Sequence, residues 1–117
     1  MKNLAVVALL LLLTLGGITA SHAREKNSDS GRLLTGRVAD RQDQSLAGSI
    51  VYLSDSRTRS VKSFIVGADG VYRFPALSPN VDYEVYAQYK GRKSDTKTVS
   101  QFDTRPTVVI NLKIDTR

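Results

Sequence analysis

From Leu33 onward the chain is written in short runs of alternating polarity. They are rich in Val, Ile, Tyr and Thr and cut by clusters of Gly, Asp, Asn, Ser and Pro. A period of two sends successive side chains to opposite faces of a strand, and no stretch carries the 3.6-residue repeat of a helix of normal length. A chain patterned this way hides its apolar half by laying one sheet on another, so the expected class is an all-β sandwich. Seven strands are predicted, over residues 34–40, 49–55, 61–66, 71–74, 83–89, 96–100 and 107–114. The last is clearest: Val108, Ile110, Leu112 and Ile114 share one face, Val109, Asn111 and Lys113 the other. The same rule turns Val51, Leu53, Tyr72, Phe74, Tyr83, Val85 and Ala87 inward.

The breaks between runs have local causes. Asp69-Gly70 is a hairpin signal, since glycine takes positive φ without a Cβ clash and aspartate bonds nearby amides. Lys90-Gly91-Arg92-Lys93 joins the fifth and sixth strands by the same device, and Leu77-Ser78-Pro79-Asn80 makes a wider turn. Pro75 and Pro106 are expected at strand boundaries, where a missing N–H does least harm to a ladder.

The first residues are unlike the rest. Lys2 precedes an apolar run over residues 4–15, followed by small residues and Ser21-His22-Ala23, the pattern of a secretory signal peptide cut after Ala23. The run is shorter than the ~20 residues needed to cross a hydrocarbon core of ~30 Å, so no membrane span is expected. Residues 24–32 hold no apolar side chain and no period, and are predicted to form a flexible leader before a single domain over residues 33–117.

Cleavage after Ala23 removes His22, the only histidine, and the chain contains no cysteine. Imidazole shuttles, Ser-His or Cys-His nucleophiles and Cys/His zinc sites all need residues that would then be missing. Ser94-Asp95-Thr96-Lys97 spells the Ser-x-x-Lys of acyl enzymes, but that chemistry needs the two residues one helical turn apart, and here they fall in or beside a strand. The acids are scattered without a calcium-loop spacing, and Asp69-Gly70 reads as a turn. No enzymatic activity and no cofactor are expected.

Four phrases in order carry a resemblance. Gly36-Arg37-Val38-Ala39-Asp40, Leu46-Ala47-Gly48-Ser49-Ile50-Val51-Tyr52-Leu53, Ala68-Asp69-Gly70-Val71-Tyr72-Arg73-Phe74 and Tyr83-Glu84-Val85-Tyr86-Ala87 resemble the carboxypeptidase regulatory-like domain, in particular its small exported stand-alone bacterial members. The likeness covers residues 34–114. It implies a transthyretin-like, prealbumin-like, seven-stranded Greek-key β-sandwich without catalytic residues, an accessory module whose related sandwiches bind carbohydrate. The sequence departs from the family pattern at Asp43 and Gly67, where glycine and aspartate are usual, and at Ser45 and Ser49, where proline and alanine are usual. The enzymatic branch of the fold, the hydroxyisourate hydrolases, relies on histidines and ends Tyr-Arg-Gly-Ser, whereas this sequence ends Ile114-Asp115-Thr116-Arg117.

Two surface features remain as candidates. With Val51, Leu53, Val85 and Ala87 inward, Ile50, Tyr52 and Tyr86 must face out. Either they sit apart, or beneath the leader, or they form an aromatic platform for a sugar ring or a partner sheet. The net charge of +6 is uneven: Arg57, Arg59 and Lys62 follow one strand, while Lys90, Arg92, Lys93 and Lys97 surround a hairpin. This is either a solvated surface or a field for acidic glycans, anionic headgroups or an acidic protein; no nucleic-acid motif is present. The sequence thus predicts a secreted or periplasmic, non-catalytic binding or structural module of the cell envelope, whose partner is an envelope protein or a glycan. The alternative is a carbohydrate-binding module using Tyr52 and Tyr86. The last strand is an edge candidate for strand addition.

Overall fold

The computed structural model describes residues Gly31–Arg117. The apolar run, the cleavage site and the leader up to Ser30 lie outside the described residues. Nine strands follow in order: β1 (Arg32–Ala39), β2 (Ile50–Asp55), β3 (Val61–Ile65), β4 (Val71–Leu77), β5 (Tyr83–Tyr89), β6 (Arg92–Lys93), β7 (Lys97–Val99), β8 (Thr107–Val109) and β9 (Leu112–Lys113). One sheet runs β4-β1-β8 with β9 continuing on β1; the other runs β3-β2-β5-β6 with β7 also on β5. The fold is the expected all-β, transthyretin-like sandwich.

The alternation works as the pattern demands. Leu34 and Val38 of β1, Tyr72 and Phe74 of β4, and Val108 and Leu112 of β8 and β9 meet Val51, Leu53, Val85 and Ala87 in one buried core. Phe64 of β3 and Phe74 of β4 bridge the sheets edge to face, ring centres 6.2 Å apart. Each large side chain fully buried here contributes ~1.5–3 kcal/mol, which is what holds a disulfide-free domain together.

Seven expected strands become nine: Arg92 and Lys93, read as part of the connection after the fifth strand, pair with β5 as the short strand β6, and the expected seventh strand divides into β8 and β9. Between β6 and β7, the latter being the expected sixth strand, the buried Ser94 hydroxyl accepts the Ala87 amide at 2.9 Å and donates to the Asp95 carbonyl, so a side chain replaces a ladder partner of β5. In the seventh, the Ile110 carbonyl accepts the Tyr72 hydroxyl at 2.6 Å, and Asn111 Oδ1 accepts the Arg37 amide at 3.0 Å. β8 and β9 nevertheless hold one register against β1, Leu34 beside Val108 and Val38 beside Leu112.

Three expectations need correction. Asp69-Gly70 does form a tight turn, with Gly70 at φ 78° and Asp69 Oδ1 accepting the Val71 amide at 3.1 Å. It is not a hairpin: β3 pairs with β2 and β4 with β1, so the turn carries the chain from one sheet to the other. Pro75 lies inside β4 and not at its end. Leu77 and Phe74 pair with Arg32 and Leu34, so two β4 residues oppose one of β1 in a bulge that needs no N–H from Pro75 and sets Ala76 at φ 60°. Arg32, expected in the leader, is the first residue of β1 and only 4% exposed. Its guanidinium donates to the carbonyls of Ser78, Val81, Ser100 and Asp103 at 2.8–3.0 Å, tying two loops to the end of the sandwich. An arginine beside polar residues carries no sequence signal for such burial.

The departures from the family pattern are bonded into the fold. Asp43 adopts φ 66°, the conformation that makes glycine usual there, and pairs with Arg37 at 2.9 Å. Ser45 Oγ accepts from Arg37 Nε and donates to the Asp69 carbonyl. Ser49, fully buried, donates to the Leu46 carbonyl at 2.7 Å.

Candidate functional site

The outer face of the β3-β2-β5-β6 sheet brings the three outward candidates together. Tyr52 and Tyr86 are register partners on β2 and β5, and Ile50 lies one pleat along, opposite Ile65 of β3. The tyrosine rings stack, centres 5.3 Å apart and planes inclined by 28°. On the other side of β5, Lys93 of β6 places its ammonium 4.3 Å from the Tyr86 ring centre. Since β2 and β6 flank β5 on opposite sides, Tyr86 has Tyr52 against one face and a cation against the other. Both tyrosines are half-buried, and the β3 register partner of Tyr52 is the small Ser63.

The basic candidates separate. Lys90 opens the tight turn between β5 and β6, where Lys90 (φ 48°) and Gly91 (φ 78°) both take left-handed conformations, Arg92 and Lys93 follow as β6, and the Lys90 ammonium lies 5.2 Å from the Tyr89 ring centre. Arg57 and Arg59 occupy the turn between β2 and β3, at the opposite end of the same sheet. Asp55 organises that turn by accepting the amides of Arg57 and Thr58.

A third region joins residues far apart in sequence. Arg41, Lys93, Asp95, Lys113 and Asp115 line a depression of about 400 Å³. A neighbouring one of about 190 Å³ shares Asp95 and Lys113 and adds Lys97, Asn111 and Leu112. Together they form a groove along the side of the sandwich, between β6–β7 of one sheet and β9 of the other. Arg41 and Lys113 are missing from the sequence-based candidates because nothing local relates them to Lys93 or Lys97.

The ionisable groups do not prepare acid–base chemistry. Hydrogen bonds from Arg105 hold Asp103 at about 2. Asp43 is lowered by Arg37 and then Lys113, Asp55 by the amides of Thr58 and Arg57, and Asp115 by the amide of Arg117 and then the charge of Arg41. A general acid at neutral pH needs the opposite displacement. Ser94 is committed to Ala87 and Asp95, while Lys97 is exposed, so the Ser-x-x-Lys spelling assembles no nucleophile. Among the described residues no three His, Cys, Asp or Glu side chains group as metal ligands, and no helix is long and apolar enough to cross a membrane.

The family model for the carboxypeptidase regulatory-like domain matches residues 34–114. The chain belongs to that family. Its fold neighbours are distant. The major pilin subunit BcpA of Bacillus cereus superposes with a TM-score of 0.58 at 13% identity, over 75% of this chain and 31% of that one. Chlorocatechol 1,2-dioxygenase from Pseudomonas putida gives 0.55 at 11% identity, over 74% and 61%. The dioxygenase domain of a dioxygenase carbohydrate-binding protein fusion from Streptomyces sp. SirexAA-E gives 0.51 at 19% identity, over 77% and 84%. The chain therefore spans less than a third of the pilin subunit and about three-fifths of the first dioxygenase, and what is shared is the fold. A search of curated proteins finds no match.

In this regulatory-like domain the family phrases mark contacts. Gly36, opening the first phrase, passes so close beneath the β8–β9 junction that a Cβ would overlap the Ile110 carbonyl oxygen and stand 2.9 Å from the Tyr72 ring. Gly70 of the third phrase combines its positive φ with a Cβ position 2.9 Å from Ser45.

Proposed function

We propose that this chain is an exported, non-catalytic β-sandwich that serves as a binding or structural module of the cell envelope, in the periplasm or outside the cell. The observation that carries this reading is the commitment of its buried polar groups. Arg32, Ser49 and Ser94 are the buried polar side chains among the described residues, and each donates to or accepts from backbone. The Tyr72 hydroxyl is held by Ile110 in the same way. Among the described residues the buried side-chain atom without a partner is Arg32 Nε, whose guanidinium is neither a nucleophile nor a base at neutral pH. The signal-like first 23 residues and the fold shared with a major pilin subunit support an extracytoplasmic setting. Fractionation of the producing cells with N-terminal sequencing tests it. The protein is expected outside the cytoplasm beginning at Arg24, and an intact Met1 on cytoplasmic protein would end the reading.

A second reading, a carbohydrate-binding module, is supported by the pairing of Tyr52 with Tyr86 beside Ile50. Because Tyr86 already contacts both Tyr52 and the Lys93 ammonium, a stacked sugar would rest on Tyr52. Titration with neutral oligosaccharides should then give saturable binding that Tyr52→Ala abolishes; absence of any saturable isotherm would remove this reading.

A further inference from the structure

The groove between β6–β7 and β9 is concave, polar and unevenly charged. Its volume of about 400 Å³ falls within the range of ~300–1,000 Å³ usual for ligand clefts, yet its lining is not the apolar one such clefts carry. Four cations, Arg41, Lys93, Lys97 and Lys113, share it with two carboxylates, Asp95 and Asp115. Internal pairing leaves charge over. Arg41 meets Asp115 at 3.6 Å and Lys113 meets Asp43 at 3.6 Å, while Arg92, Lys93, Lys97 and Arg117 make no ion pair among the described residues. Arg92 and Arg117 both lie close enough to act on the charge of Asp115, so they flank the same groove.

We infer that this groove binds an acidic polysaccharide, a polymer of uronate-like rings, with Lys97 and Lys113 pairing its carboxylates and Asp95 accepting its hydroxyls. This deepens the proposed function and takes from it only the extracytoplasmic setting that brings such polymers within reach. The mixture of signs decides between polyanions. Duplex DNA presents a phosphate for every ~1.7 Å of axis, so Asp95 and Asp115 would meet phosphate wherever it lay in the groove. A uronate chain carries one charge per ring with hydroxyls between, which suits cations alternating with carboxylate acceptors. An anionic membrane is a plane that gains from apolar side chains entering it, and the exposed Val61, Ile65 and Phe102 lie off the groove.

The test is titration of the full chain with polygalacturonate at two salt concentrations, with dextran, duplex DNA and phosphatidylglycerol vesicles as comparisons. Saturable binding of polygalacturonate that weakens with salt, and no binding of dextran, is expected. The exposed pair Lys97→Ala/Lys113→Ala should weaken it about tenfold or more, and Arg57→Ala/Arg59→Ala, at the far end of the sheet, should change it less than about twofold. Asp95→Asn separates a built site from diffuse attraction: a carboxylate accepts sugar hydroxyls more strongly than the amide, so its loss should weaken binding, whereas diffuse attraction gains when a negative charge is removed. No binding, equal losses from the two basic pairs, tighter binding by Asp95→Asn, or preference for DNA or vesicles over the polyuronate would each overturn the inference. Export is read separately by fractionation, so either reading can fail alone.

Discussion

At the scale of single residues, the tightest constraint is Gly36. It needs no unusual φ; it is required because the Ile110 carbonyl occupies the place of a Cβ. Gly36→Ala is therefore expected to push the β8–β9 junction off β1 and cost more than about 3 kcal/mol, read as loss of the cooperative unfolding transition or a large drop in its midpoint. Tyr72→Phe keeps the ring and removes only the hydrogen bond to the same carbonyl, so a milder loss of about 1–2 kcal/mol is expected in urea denaturation. Arg32 belongs at this scale too. Its guanidinium answers four carbonyls from two loops, and Arg32→Met should cost at least about 2 kcal/mol by leaving them without a donor.

At the scale of elements, strand boundaries follow the hydrogen bonds available to each backbone group. Where Ser94 and Tyr72 offer side chains the ladder stops and restarts, so β6 is cut off from β7 and the expected seventh strand appears as the two short segments β8 and β9. The β5–β6 turn shows a conflict between conformation and residue type. Lys90 holds φ 48° in the first central position of a turn that favours Asn or Asp followed by Gly. Lys90→Asn should stabilise the domain by about 0.5–1 kcal/mol, measured as a rise in the denaturation midpoint at unchanged slope. The edges also belong here: β8 and β9 pair only with β1, as expected of the last strand, and β3 pairs only with β2.

At the scale of the whole molecule, the charges set the pH range in which the fold is firm. Asp103, Asp43, Asp55 and Asp115 all have native values below 3.8, so their contribution is fully present above that value and is lost as pH falls through the native ones. Burial raises the Tyr72 hydroxyl well above its ordinary 10.0, so unfolded chains begin to ionise first in alkali and stability declines above about pH 10. Thermal melts across pH should therefore show a plateau from about pH 5 to 9.5 with a fall on either side. A step near pH 6.5 would mean a histidine is part of the folded unit, since His22 is the only one in the chain.

The sequence alone determined which side chains face inward. Alternation is a property of consecutive residues, and Val51, Leu53, Tyr72, Val85 and Leu112 are buried as their positions require. It also determined that Asp69-Gly70 and Lys90-Gly91 turn, since both depend on local φ. It could not determine that one turn closes a hairpin and the other crosses between sheets, because pairing is settled by which long-range packing buries more surface. The same limit governs the surface. Tyr52 and Tyr86 could be assigned to an outer face but not to each other, and Lys93, Lys97 and Lys113 became one groove only when β6, β7 and β9 took their places at the margins of two sheets.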